Sequence, residues 1–179
     1  MERTEVILVN GRDVETGTCE KMEAHERGLL HRAFSIFIFD SEGKMLLQQR
    51  ALHKYHSGGL WTNACCSHPL PGEETAKGAH RRLKEEMGIE TPVKKIFDFV
   101  YRSHFQNGLT EHEFDHVFAG EYEGEIIYNA DEVMDLCFMP MTQVRDELIN
   151  DPGKYTAWFH LAFPRIDEWW KITYGELRG

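Results

Sequence analysis

The sequence predicts an α+β fold, in which a mixed β-sheet is covered by helices on its flanks. Short runs rich in β-branched and aromatic residues recur along the chain, and one segment changes to the helical period of 3.6 residues. The chain has 179 residues, of which 41% are hydrophobic. That length and composition can bury one substantial core, so we expect a single domain over residues 1–179.

The first third of the chain contains the clearest strand signals. A β-branched run, Glu5–Val9, is followed by the turn dipeptide Asn10-Gly11, which predicts an N-terminal hairpin. Residues 32–39 form a nearly continuous apolar run, and residues 44–50 follow after a short turn. We expect these two segments to pair as a central antiparallel hairpin.

Helical periodicity is most regular at residues 75–87, with Thr75 as the expected N-cap and Gly88 as the expected end. One face of this helix carries an apolar stripe, formed by Ala76, Ala79, Leu83 and Met87. Strand-like runs return at residues 93–102, 111–120 and 133–139, and helical signals follow at 141–150 and from Tyr155 onward. Pro164 should start, kink or break the last helix.

Composition limits the classes of partner and the compartment. A net charge of −10 disfavours nucleic acid or an anionic membrane as a partner. The first residues lack the basic and apolar plan of a secretory signal, and no apolar run reaches the length of a membrane span. We therefore expect a cytoplasmic protein, a monomer or weak dimer, whose four cysteines are reduced.

The helix at residues 75–87 carries a pattern of acids and arginines that resembles the Nudix signature, in which helix carboxylates hold a divalent metal against a diphosphate. The matching residues are Glu73, Arg81, Leu83, Glu85, Glu86, Gly88 and Ile89. Two positions depart from it: Ser67 replaces the first glycine, and Arg82 replaces an acid. Exchanging a carboxylate for a guanidinium removes a metal ligand and adds an anion clamp. On its own, the segment is more typical of a solvated helix face with i,i+4 ion pairs.

Two further groups of residues could carry chemistry. In an extended segment, Cys66 and His68 project to one side and Cys65 to the other, so parity favours Cys66 as a reactive thiol; both cysteines could instead be small buried residues. Along residues 110–118, alternation places the acids Glu111, Glu113 and Asp115 on one strand face, which indicates either a cation or solvent exposure. His25 and His31 are poorly spaced for one helix face. They could meet on a metal through a loop and the start of a strand.

Together these residues resemble type I isopentenyl-diphosphate isomerase, a Nudix-fold family, over nearly the whole chain. The matches occur in the same order at residues 30–34, 49–51, 62–70, 81–88 and 111–113. The resemblance implies a single Nudix-like catalytic domain, with a mixed sheet between helices, an extra N-terminal hairpin and C-terminal helices. It implies interconversion of isopentenyl diphosphate and dimethylallyl diphosphate by a 1,3-allylic proton shift through a carbocation-like state.

The same resemblance assigns roles to individual residues. Cys66 and Glu113 would transfer protons on opposite faces of the allylic unit, Trp158 would stabilise positive charge, and Trp61 and Tyr101 would line the pocket. One divalent metal, Mn²⁺, Mg²⁺ or Zn²⁺, would be held by His25, His31, His68, Glu111 and Glu113. Glu86 and the carbonyl of Cys66 would bind a Mg²⁺ that arrives with the diphosphate, whose oxygens would meet Lys21, Arg50, Lys54 and Arg82.

Two other functions remain open. A Nudix hydrolase would cleave the diphosphate, although Arg82 and Ser67 argue against it and Cys66 would then have no task. A non-enzymatic module could bind a metal or a diphosphate without turnover. The direction of each proton transfer and the identity of the metal are not specified by the sequence.

Overall fold

The computed structural model describes residues 4–175, and the first three residues of the N-terminal segment discussed above lie outside that range. The strands are β1 (Glu5–Val9), β2 (Glu15–Glu20), β3 (His31–Phe39), β4 (Met45–Arg50), β5 (Trp61–Thr62), β6 (Cys65–Ser67), β7 (Val93–His104), β8 (Thr110–Glu121) and β9 (Val133–Met139). The helices are α1 (Lys21–Arg27), α2 (Thr75–Met87), α3 (Met141–Asn150) and α4 (Ala157–Tyr174), with a 3₁₀ turn at Pro152–Lys154.

The apolar strand β3 is the centre of a mixed sheet. Its whole length pairs in parallel with β8, from His31 opposite Glu113 to Phe39 opposite Glu121. Its other edge is shared by β1 near its start, β6 in its middle and β4 at its end. Because nearly every residue of β3 is buried, the strand is covered on both faces, as a continuous apolar run predicts.

The predicted central hairpin of β3 and β4 is largely wrong. The two strands pair only where Phe39 faces Met45, next to the connecting turn. Beyond that point β4 pairs with β9, from Met45 opposite Met139 to Arg50 opposite Val133. Both strands are apolar enough to be buried between other strands, and the non-local partners supply more pairing than the hairpin does.

Helices cover both faces of the sheet, which confirms the predicted mixed sheet between helices. On one face α2 contributes Ala79, Leu83 and Met87 to a core that also contains Phe34 and Ile36 of β3. On the other face α3 and α4 pack over a core that contains Phe37 and Phe39. Alternate residues of β3 therefore enter opposite cores, as the period of a strand requires.

The bounds of α2 agree with the prediction, but its N-cap does not. Glu74 has the extended conformation of an N-cap and Thr75 is already helical. At the other end, Gly88 adopts a left-handed conformation with φ of 65° and its N–H donates to the carbonyl of Lys84. The predicted glycine stop is therefore confirmed.

Proline 164 lies inside α4, so the expectations that it starts or breaks the helix are wrong. Proline removes the N–H that would otherwise bond the carbonyl four residues earlier. The neighbouring Phe163 and Ile166 are buried in the core under α4, and their packing offsets this loss. None of the helices described is long and apolar enough to cross a membrane. All four cysteines are free in the structure.

Replacing Gly88 with alanine should destabilise the fold by well over 1 kcal/mol. A left-handed backbone costs an ordinary residue about 1–2 kcal/mol, and a Cβ at this position would lie 2.6 Å from the carbonyl oxygen of Ile127. Gly11→Ala is the matched control, because no atom lies within 4 Å of the Cβ it would add. Urea unfolding of both variants measures the difference, and equal midpoints would contradict this explanation.

Candidate active site

One buried cavity collects nearly all of the site residues predicted from the sequence. The volume of this cavity is about 70 Å³. The basic residues Lys21, Arg50, Lys54 and Arg82 all line it. So do Cys66, His68, Glu86, Tyr101, Glu111, Glu113 and Trp158. Segments that are far apart in the chain therefore meet around a cavity in which basic and acidic groups face each other.

A cluster of histidines lies beside this cavity. One ligand atom each from His25, His31, His68 and Glu113 lies within 4.8 Å of the others. The Nε2 atoms of His31 and His68 are 3.2 Å apart, and His68 Nε2 is 3.0 Å from Glu113 Oε1. His25 comes from α1 and His31 from the start of β3, so these two histidines converge through a loop and a strand end.

Backbone carbonyls orient two of these rings. His25 Nδ1 donates to the carbonyl of Lys21 at 2.6 Å, and His31 Nδ1 donates to the carbonyl of Leu29 at 2.8 Å. A carbonyl can only accept a hydrogen bond, so Nδ1 carries the hydrogen and Nε2 of each neutral ring presents a lone pair to the cluster. Metal-binding histidines have this arrangement, in which a backbone acceptor fixes the other ring nitrogen.

Burial keeps part of the cluster neutral. It lowers the pKa of His25, and it lowers the pKa of His68 to about 3 despite the nearby Glu113 carboxylate. Burial also opposes charge on His31, but the hydrogen bond and charge of Glu113, together with the Leu29 carbonyl and Glu111, outweigh burial and raise the pKa of His31. Neutral imidazoles are metal ligands, so His25 and His68 are in the protonation state that a cation requires.

Two carboxylates of β8 share one tyrosine hydroxyl. Tyr101 Oη is 2.6 Å from Glu113 Oε2 and 3.0 Å from Glu111 Oε2. Burial and the charge of Glu113 raise the pKa of Glu111. Burial disfavours the ionised form of Glu113 too, but the polar contacts and charges of His31 and His68 together outweigh it and lower the pKa of Glu113. The expectation of a solvent-exposed acidic strand face is wrong, because Glu111, Glu113 and Asp115 are all buried.

These residues fit a divalent metal. His25 Nε2 is buried without a hydrogen-bond partner in the described part of the chain, and leaving such a group unpaired costs about 1–3 kcal/mol. A cation would satisfy this nitrogen together with its neighbours. Imidazole and carboxylate donors suit zinc, manganese or similar borderline ions. Glu111, the fifth predicted ligand, groups with His25 and with His56, which was not predicted.

The two adjacent cysteines occupy different environments. Cys65 is fully buried in the core under α2, whereas the Cys66 side chain lines the cavity. The Cys66 thiol donates to Asn63 Oδ1 at 3.1 Å and lies 3.5 Å from Ser35 Oγ. The Asn63 amide nitrogen donates to the carbonyls of Ile36 and Cys65, both at 3.0 Å, so its oxygen is held facing the thiol. Burial raises the pKa of Cys66 and favours the protonated thiol.

Only part of the Nudix-like helix faces the cavity. Arg82 contacts Glu86 Oε1 at 2.6 Å and Glu132 Oε1 at 3.3 Å there. Burial raises the pKa of Glu86, although Arg82 opposes this effect. Arg81 instead makes a bidentate pair with Glu73, at 2.8 and 2.9 Å, away from the cavity. Glu73 and Arg81 therefore hold the loop before α2.

Aromatic rings close one side of the cavity. Trp158, near the start of α4, is 3% exposed, and the Arg50 guanidinium lies 5.1 Å from its ring centroid. The expectation that Trp61 lines the cavity is wrong. Trp61 lies on β5 and packs against the core under α4, with Lys154 over its ring.

Four residues that line the cavity were not predicted as site residues: Tyr55, His56, Ser67 and Glu132. Lys54 and Glu132 form an ion pair, and Glu132 also contacts Arg82. Glu132 precedes β9, and only the non-local pairing of β9 with β4 brings it here. Tyr55 and His56 follow Lys54 in the same loop, so their proximity to a predicted anion-binding residue was the available signal.

Known proteins resemble this chain in sequence and in fold. Residues 29–159 match the model of the NUDIX domain. The chain is 48% identical over 176 residues, covering 98% of both chains, to the isopentenyl-diphosphate Delta-isomerase of Pectobacterium atrosepticum. It is 50% identical over 162 residues to isopentenyl-diphosphate Delta-isomerase 2 of Aromatoleum aromaticum, covering 90% of this chain and 86% of that one.

Solved structures support the fold alone. A Deinococcus radiodurans protein superposes with a TM-score of 0.68 at 18% identity, covering 82% of this chain and 90% of that one. The MutT protein of Methanosarcina mazei gives 0.64 at 18% identity, covering 78% and 94%. Combined with near full-length relatives at about half identity, these results establish that the chain belongs to the isopentenyl-diphosphate Delta-isomerase family of NUDIX-domain proteins.

Proposed function

We propose that this protein interconverts isopentenyl diphosphate and dimethylallyl diphosphate, a step of isoprenoid biosynthesis. The observation that carries the proposal is the meeting of a protonated thiol, a histidine and carboxylate cluster and four basic side chains in one cavity. Relatives that cover nearly the whole chain are named for this reaction. In this proposal the chain acts as one catalytic domain over residues 1–179.

The basic residues would hold the diphosphate. Arg50 and Arg82 can each bind phosphate oxygens in a bidentate manner, and Lys21 and Lys54 add point charges. Burial and the neighbouring Lys54 lower the pKa of Lys21, and an anion would offset both effects. Glu86 and the carbonyl of Cys66 would bind a Mg²⁺ that accompanies the substrate, because Mg²⁺ prefers oxygen ligands shared with phosphates.

A second divalent ion, Mn²⁺, Mg²⁺ or Zn²⁺, would be held by His25, His31, His68, Glu111 and Glu113. When bound, it would neutralise the two buried carboxylates and fix Glu113 beside the hydrocarbon part of the substrate. The protein residues around it would set its position, since Lys21 and Leu29 carbonyls orient two imidazoles.

The proton shift needs a donor and an acceptor. One group adds a proton to the terminal alkene carbon, which leaves positive charge on the tertiary carbon, and the other removes a proton from the adjacent methylene so that the double bond moves. Cys66 and Glu113 are the proposed pair. Burial and the nearby Asp115 carboxylate favour the protonated form of the thiol, which donates to Asn63 Oδ1. Tyr101, within hydrogen-bonding distance of Glu113, would orient or relay the proton held there.

The intermediate is reactive and must be protected from water. Trp158 is buried against the cavity and presents its ring. A cation over an indole ring is stabilised by about 2 kcal/mol when desolvated. The surrounding Tyr55, Tyr101 and His56 rings would exclude water that could trap the cation.

Hydrolysis of a nucleoside diphosphate derivative is the less supported alternative. Nudix chemistry of that kind uses a dense carboxylate group on the helix. Here Arg82 occupies the cavity, and Glu85 lies outside it with a side chain that is 45% exposed.

We further propose a small-molecule substrate, a cytoplasmic location and a monomer or weak dimer, with neither nucleic acid nor membrane as a partner. The net charge of −10 supports this reading, because both of those partners select basic surfaces.

The proposal is tested by incubating the purified protein with isopentenyl diphosphate and Mg²⁺ while measuring dimethylallyl diphosphate and free phosphate together. Dimethylallyl diphosphate should form without phosphate release. Phosphate release without the isomer would instead support the hydrolase. No product of either kind, with substrate binding retained, would favour a binding module.

Substituting Cys66 with alanine should reduce kcat for isomerisation by about 100-fold to 10,000-fold, which is the usual contribution of a positioned proton donor. Metal content and the urea midpoint should be retained. Cys65→Ala is the matched control, because its side chain lies in the core under α2, and it should stay within about threefold of wild type. A Cys66→Ala enzyme with wild-type turnover would remove this residue from the mechanism.

Substituting Glu86 with glutamine should raise the Mg²⁺ concentration for half-maximal activity by about tenfold or more, since a neutral amide binds Mg²⁺ less well than a carboxylate does. Glu85→Gln is the matched control on the same helix, and its requirement should change less than threefold. Mg²⁺ titrations of activity at saturating substrate measure both variants. An equal shift in the two variants would indicate a general electrostatic effect of α2.

A further inference from the structure

The ring of His56 is held firmly at the edge of the histidine cluster. It stacks on Phe105 at a centroid distance of 4.3 Å and an interplanar angle of 9°. The edges of Tyr55 and Trp158 meet it at 4.4 and 5.7 Å. Arg50 donates to the His56 carbonyl at 3.2 Å, which also fixes the backbone. The imidazole therefore has little freedom to point elsewhere.

The Nε2 atom of His56 faces the cluster without a partner of its own. Its side chain is only 2% exposed, and Nε2 lies 2.8 Å from Glu111 Oε1. That contact lacks hydrogen-bond geometry, and no other partner for Nε2 exists in the described part of the chain. A buried nitrogen left in this state is costly. When two ligands bind the same cation, their ligand atoms lie close together without a hydrogen bond between them, as His56 Nε2 and Glu111 Oε1 do here.

A second imidazole nitrogen without a hydrogen-bond partner lies near His56 Nε2. His25 Nε2 is also buried and without a partner among the described residues. One ligand atom each from His25, His56 and Glu111 lies within 4.8 Å of the others. His25 also belongs to the group with His31, His68 and Glu113. The two groups share His25, so His56 and Glu111 adjoin the first group at that ring.

The loop around His56 bears a conformational cost. Ser57 has a φ of 53°, a left-handed conformation that is unfavourable for a residue other than glycine. Its hydroxyl lies 3.2 Å from His56 Nδ1. A partner at Nδ1 orients a metal-binding imidazole in the same way as the backbone carbonyls do at His25 and His31. Strain retained beside a cavity indicates that the position has a function.

We propose that His56 is an additional ligand of the divalent metal held by the histidine and carboxylate cluster. The donor set then contains four imidazoles and two carboxylates, which favours borderline ions such as zinc, cobalt or manganese over magnesium. The inference rests on the metal centre proposed above and not on the isomerisation. It also connects the metal to Trp158, because the His56 ring contacts both Glu111 and that indole.

Cobalt binding to the full-length apoprotein tests this assignment. The probe is Co²⁺ alone, followed by its visible absorption and by competition with a chelator for affinity. His56→Ala should weaken Co²⁺ binding by more than about 100-fold, beyond the 10–100-fold cost of losing an outer-shell partner, and should change the absorption spectrum. His56→Gln keeps a similar size without the imidazole and should show the same spectral change if the alanine variant fails to fold. His53→Ala, an exposed histidine of the same loop, should match wild type.

The outcomes separate the two proposals. A variant spectrum identical to that of wild type would overturn the role of His56 as a ligand, whatever its affinity. If the wild-type protein binds no Co²⁺, the proposed metal centre fails, and the assignment of His56 fails with it. The isomerase assay reports separately on the reaction.

Discussion

In the parallel pairing of β3 with β8, His31 lies opposite Glu113, and the geometry of the site depends on this register. The antiparallel pairing of β7 with β8 places Tyr101 opposite the same Glu113. Alternation then gives Glu111 the same face as Glu113. A slip of one residue would turn both carboxylates to the other side of the sheet and separate them from the imidazoles. The apolar side chains of β3 prevent that slip, because each face of the strand is buried in a different core.

This register brings like charges together inside the protein, which is unfavourable unless something compensates. Desolvation raises the pKa of Glu111, and the nearby Glu113 raises it further. On the opposite side of the cavity the bases already have partners, since Lys54 pairs with Glu132 and Arg82 with Glu86. A metal would compensate the first group, and an arriving diphosphate would compete with Glu132 and Glu86 for the second. In the proposed function, both the acidic and the basic side of the cavity would therefore be stabilised by ligands of opposite charge.

Local patterns predicted the elements and some side-chain directions. The 3.6-residue period gave α2 its bounds, and parity separated Cys65 from Cys66, because both depend only on neighbouring residues. The pairing of β4 with β9 joins segments that are far apart in the chain. The sequence therefore predicted that β4 pairs with its neighbour β3. For the same reason Glu132 was not found. The acids of β8 could not be identified as buried from their alternation, since exposed strands show the same pattern. The family resemblance supplied most of the site residues, and it did not extend to His56.

The helix α2 illustrates how one fold can support different chemistry. Glu73 and Arg81 retain the Nudix pattern, and their bidentate pair fixes the loop that leads into the helix. One face of the same helix presents Arg82 and Glu86 to the cavity, so a guanidinium stands where a hydrolase would place a carboxylate. The residues of the signature that fix the loop are preserved, whereas Arg82, which faces the cavity, departs from it. Function in this chain therefore follows from the few side chains that reach the cavity, and the fold contributes their positions.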